Sequence, residues 1–153
     1  MMRAIRVDPI GRITSSVDAT VDEHWGRVVS RIELKPEFVG GLKGLDGFSH
    51  AVVVTYLHKA KYESSRHLQR RPKGLRTMPI VGIFSQRAKD RPNPIGVTAV
   101  KIVDVGDDYL EVRGLDAINS TPVLDIKPYY PEYDRIKSPT TPNWVKRLMK
   151  GYF

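Results

Sequence analysis

The sequence contains no cysteine. That single absence excludes disulfides, thiolate-held metal and a cysteine nucleophile, and it points to an intracellular chain stabilised by packing. No apolar run approaches the ~20 residues of a membrane helix. The opening residues, MMRAIRVDPIGRI, lack the uninterrupted apolar stretch of a secretion signal. A cytoplasmic protein with no membrane partner is expected. Also missing are a phosphate-binding glycine loop, a GxGxxG after a strand, an HExxH pair and a nucleophile elbow. His24, His50, His58 and His67 lack ligand spacing, and neighbouring acids do not complete a set, so no metal is expected.

What is present describes a globular chain. Its 153 residues are 41% hydrophobic and 27% charged, which suits one domain spanning residues 1–153. Lysine and arginine number 25 against 17 acids, for a formal charge of +8. Such an excess favours an anionic partner such as RNA, because neutralised phosphates release counterions. The basic residues concentrate between Lys59 and Arg91.

Short alternating or β-branched segments recur along the chain: Ala4 to Ser15, Val28 to Leu34, Phe48 to Leu57, Ile80 to Ser85, Val97 to Val105, Tyr109 to Leu115 and Pro122 to Ile126. Gly106-Asp107-Asp108 marks a hairpin turn. Glycine and proline punctuation with few helical periods predicts a mainly β fold, a small barrel of six or seven strands. Lys59 to Met78 is polar and basic and reads as a long loop. At the end, Thr141 can cap a short helix, Pro142 can open it, and Trp144, Leu148 and Tyr152 recur at helical spacing.

Two segments stand out chemically. In Arg91-Pro92-Asn93-Pro94-Ile95-Gly96 the prolines fix the backbone on both sides of Asn93. Arg87 lies four residues earlier, and its guanidinium with that of Arg91 can grip a carboxylate or phosphate. A stiff connection with solvated arginines fits the same residues equally well. In the run Leu115-Asp116-Ala117-Ile118 and onward to Tyr129, Asp125 and Lys127 share one strand face, as a site or as a surface ion pair.

Four segments in order, Ile10 to Ser15, Gly41 to His50 (GLKGLDGFSH), Gly82 to Gly96 (GIFSQRAKDRPNPIG) and Gly114 to Tyr129, resemble the motifs of the TrmO family, also called YaeB or TsaA-like, of tRNA methyltransferases. The resemblance implies a homodimeric β-barrel enzyme that binds S-adenosylmethionine near the subunit interface. Carried over by position, it implies cofactor contacts from Trp25, Gly26, Arg27, His58, Lys59, Arg87, Leu115, Asp116, Ala117 and Ile118. Arg91, Asn93, Lys127 and Tyr129 would line the same pocket. Two departures stand inside the motifs: Ser85-Gln86 replaces the usual Ala-Thr, and Asn119-Ser120 replaces Asp-Gly.

The activity implied is methylation of the exocyclic N6 amine of N6-threonylcarbamoyladenosine beside a tRNA anticodon. Asp125, then Asp116, is the candidate base that takes the amine proton. The Lys59 to Arg76 stretch would track RNA phosphate. Two other readings stay open from the residues: methylation of another RNA or a small molecule, and a non-catalytic RNA-binding barrel.

Overall fold

The computed structural model describes residues 1–19, 21 and 23–153. Where side chains alternate between apolar and polar, the backbone extends and one face turns inward. This gives strands β1 (Gly11–Thr14), β2 (Val29–Leu34), β3 (His50–Tyr56), β6 (Ile95–Val105), β7 (Tyr109–Arg113) and β8 (Pro122–Pro128), with a separate two-stranded ribbon of β4 (Gln69–Arg70) and β5 (Val81–Gly82). The six longer strands close into an antiparallel barrel in the order β1, β2, β7, β6, β3, β8. Pairing of Gly11 and Arg12 with Val123 and Pro122 completes the ring.

Inward positions form one apolar core. Ile13, Ile32, Val53, Val100, Leu110, Val112 and Val123 are each at most 1% exposed and come from all six barrel strands. Gly106-Asp107-Asp108 turns β6 into β7 as expected, with the Gly106 amide donating to the Tyr109 carbonyl at 2.9 Å. The β3–β8 register shifts between Val54 and Thr55, which re-aims the start of β8.

Several expected boundaries move. Of Ala4 to Ser15, residues 11–14 form strand; Ile5 and Val7 are 89% and 58% exposed, because β2 ends at Leu34 and offers them no partner. Phe48 to Leu57 narrows to β3, and Phe48 instead lies parallel to the Tyr130 ring at 5.8 Å. Ile80 to Ser85 supplies two strand residues and then a tight 3-10 turn, Ile83–Ser85. The six-strand barrel is closed, so this apolar stretch pairs with the ribbon instead.

The Lys59 to Met78 stretch is not a bare loop: it holds helix α1 (Ser64–His67), β4 and a turn at Pro72–Gly74. These elements are too short to leave a period in the sequence. Buried Gln86 secures the ribbon, its Nε2 donating to the Arg70 and Val81 carbonyls, both at 3.0 Å. Two further helices are α2 (Pro131–Asp134) and α3 (Asn143–Leu148). In α3 the cap position is Pro142, without a side-chain cap from Thr141. Tyr152 lies beyond the helix, which ends at Leu148, and past Gly151, whose φ of +73° turns the chain. Among the described residues no helix is long and apolar enough to cross a membrane.

Candidate functional site

The chain end is the element that gathers the site. After Gly151 it doubles back along the 3-10 turn Trp25–Arg27: the His24 amide donates to the Gly151 carbonyl at 3.0 Å and the Trp25 amide to the Tyr152 carbonyl at 2.9 Å. A side chain at Gly26 would come within 2.8 Å of the Phe153 backbone, so this approach requires glycine. Trp25 itself is 3% exposed, with its indole donating to the Val21 carbonyl. Its ring is therefore buried, while the Arg27 side chain is exposed.

The second gathered segment is the connection after β7. Leu115, Ala117 and Ile118 are buried and point their side chains into the core. Asp116 is half-buried and doubly anchored: Thr98 donates to Oδ1, and the Tyr152 hydroxyl donates to Oδ2 at 2.7 Å. Segments 25–27 and 115–118 are thus linked through the chain end, with β6 supplying the second donor to Asp116.

Arg87 approaches from a third direction, its Nη2 donating to the Val97 carbonyl at 2.6 Å, one residue from Thr98. Arg91 differs. Its Nη1 donates to the Gln86 and Ala88 carbonyls, so it clasps its own loop while Asn93 stays exposed. Asp90 joins this loop to the connection that follows β3: its Oδ1 accepts the Lys61 amide at 2.9 Å and the Lys89 ammonium at 3.0 Å. Desolvation raises the Asp90 pKa, but these hydrogen bonds and positive charges outweigh it and hold the carboxyl below its ordinary value. His58 and Lys59 are exposed beside this junction, with the Lys59 ammonium on the Asp18 carbonyl.

Asp125, Lys127 and Tyr129 follow the outer face of the barrel. Asp125 pairs across to Val54, and Val54 to Val97, so Asp125 and the strand carrying Arg87's acceptor are about 10 Å apart by two strand spacings. Asp125 accepts the Ile126 amide at 2.9 Å and forms an ion pair with Lys127. The hydrogen bond and charge of Asp125 raise the Lys127 pKa. Tyr129 stands edge-on to His50 at 6.5 Å.

A profile of the tRNA-methyltransferase O N-terminal domain matches residues 22–135. The chain belongs to the TrmO family. An S-adenosyl-L-methionine-binding protein of Archaeoglobus fulgidus is 35% identical over 130 residues, 82% of this chain and 90% of that one. The human tRNA (adenine(37)-N6)-methyltransferase is 40% identical over 110 residues, covering 71% of this chain and 24% of the human protein. The crystal structure of TrmO from P. aeruginosa superposes with a TM-score of 0.77 at 28% identity, over 94% of this chain and 63% of that chain.

Within the departures from the TrmO motifs, Asn119 and Gln86 have defined hydrogen-bonding roles. Asn119 Oδ1 accepts the Ser15 amide at 3.2 Å, an acceptor role that an aspartate oxygen at this position can equally take. Ser120 has a φ of +65°, where the usual glycine is unstrained. Gln86 is turned into the ribbon. The residues missed by sequence reasoning are Thr98, Tyr152 and Asp90. Only Asp90 and its flanking residues lay inside a motif, and the pairings themselves span 18 to 36 positions. A groove of about 360 Å³ runs beside Arg87, between Phe84 and Trp144.

Proposed function

We propose that this chain is an S-adenosylmethionine-dependent tRNA methyltransferase acting on the N6 amine of N6-threonylcarbamoyladenosine beside the anticodon, as a cytoplasmic homodimer. Methyltransferase activity and S-adenosylmethionine use follow from membership of TrmO. The observation that supports the placement of the site is the meeting of segments 25–27 and 115–118 beside Arg87, through Thr98, Asp116 and Tyr152.

The donor set fits the cofactor. Arg87 carries the positive charge that a methionine carboxylate takes, and guanidinium N–H groups beyond Nη2 remain for it. Asp116 keeps a lone pair on each oxygen for hydroxyl or ammonium donors. The backbone over buried Leu115, Ala117 and Ile118 presents a surface for the adenine. When bound, S-adenosylmethionine supplies a methyl group already activated by its sulfonium.

The chain's own work is then placement and proton removal. Holding the amine in line with the methyl lowers the barrier by orientation. An adenine amine is a weak nucleophile because its lone pair is delocalised, and a carboxylate that takes its proton as the bond forms helps. Asp125 is the more accessible base: it is 45% exposed on the outer face, its oxygens held by the Ile126 amide and the Lys127 ammonium, whereas Asp116 is half-buried and accepts two hydroxyls. Exposed Lys59, Lys61, Arg66, Lys73 and Arg76 face outward to contact phosphate, and bases in an anticodon loop can be splayed out to reach a site.

Incubation with methyl-labelled cofactor and tRNA from a strain lacking its own enzyme, followed by nucleoside mass spectrometry, tests the substrate. Label on N6-threonylcarbamoyladenosine is expected. Label on another nucleoside, or none at all, contradicts it.

A further inference from the structure

We propose that Tyr152 is a positioning residue of the cofactor site, acting through Asp116, so that the last three residues of the chain are part of that site. The proposal rests on the cofactor reading above. Leu115, Ala117 and Ile118 are at most 6% exposed, so Asp116 is the member of this segment with a polar side chain available to a ligand.

A terminal carboxylate torsion is broad and soft. One hydrogen bond leaves the carboxylate free to swing about that contact, whereas two donors on different oxygens fix its plane. Thr98 supplies the first from strand β6, inside the barrel wall. Tyr152 supplies the second, at 2.7 Å, from the other end of the chain order.

The tyrosine is itself well fixed. Gly151, at φ +73°, turns the chain back, and the carbonyls of Gly151 and Tyr152 accept the His24 and Trp25 amides. The Phe153 ring meets the Tyr152 ring edge-on at 4.9 Å, and the Lys73 ammonium lies 5.7 Å from the centre of that ring. Phe153 packs so closely on Gly26 that no Cβ fits between them. The chain end therefore straps segment 25–27 to segment 115–118, and the phenol oxygen is its contact with Asp116.

Tyr152→Phe removes that oxygen and keeps the ring. Calorimetric titration of the full chain with S-adenosylmethionine is expected to show a dissociation constant raised about 10-fold or more, the usual effect of losing a hydrogen bond to a charged group. In turnover the cofactor KM should rise by the same factor with kcat within about 2-fold, since the interaction is made on binding. In an Asp116→Ala background, read by thermal shift over millimolar cofactor, the same substitution should change affinity less than about 2-fold, because the group it acts through is gone. Deletion of residues 151–153 is a second variant with the same expected direction.

Wild-type affinity in both variants would overturn the proposal, as would an undiminished loss in the Asp116→Ala background. Absence of binding by the wild-type chain is a different failure: it removes the cofactor reading and this proposal together.

Discussion

The barrel interior and the rim that carries the candidate site are built on different principles. Inside, many apolar side chains from all six strands share the packing, and no single contact sets the geometry. At the rim, individual hydrogen bonds do so: two hydroxyls on Asp116, one amide and one ammonium on Asp90, one carbonyl under Arg87. A packed interior spreads a perturbation over its neighbours, whereas a rim held by single contacts loses an orientation when one is removed. Substitutions inside should therefore reduce stability and spare binding, and substitutions at Arg87 and Asp116 should do the reverse.

The largest stability effect is expected from Leu110→Ala, at a side chain with no exposure, which should cost about 2–5 kcal/mol in chemical denaturation. The protein that remains folded should bind cofactor normally; weakened binding would break the separation. Asp125→Asn should slow methyl transfer by about 100-fold or more if the carboxylate is the base, with little change in melting temperature. Arg87→Ala should weaken cofactor binding by about 1.5–3 kcal/mol in calorimetry.

A smaller effect sharpens the comparison through pH. The Asp90 pKa is lowered on folding, so its contribution is present above the ordinary value of 3.8 and lost as pH falls through the lower folded value. Asp90→Asn should cost about 1 kcal/mol near neutral pH and flatten melting temperature against pH in that acid range. The least effect is expected at Lys127. Its pKa is raised, so what it contributes is present below the ordinary lysine value of 10.5 and lost as pH rises through the folded value. The side chain is 67% exposed, and Lys127→Met should leave neutral-pH melting unchanged.

What could be read from sequence follows the same division. β2 and β7 carry alternation and β3 a β-branched run, and all three were legible within a residue or two, because those patterns are local. Whether Ile80 to Ser85 joins the barrel depends on a free edge, and closure by β1 and β8 leaves none. The stripe of Trp144, Leu148 and Tyr152 looked helical throughout, yet Gly151 detaches Tyr152 and sends it to Asp116. The motif segments include Arg87, Asp90 and Asp116. They did not reveal that Arg91 clasps its own loop, because its acceptors are backbone carbonyls that no residue type marks, or that Thr98 and Tyr152 converge on Asp116, because those bonds span 18 and 36 positions.

The most direct test of the rim as a cofactor site is calorimetric titration of the wild-type chain with S-adenosylmethionine. Saturable binding with one site per chain is expected. No heat and no thermal shift at millimolar cofactor would contradict it.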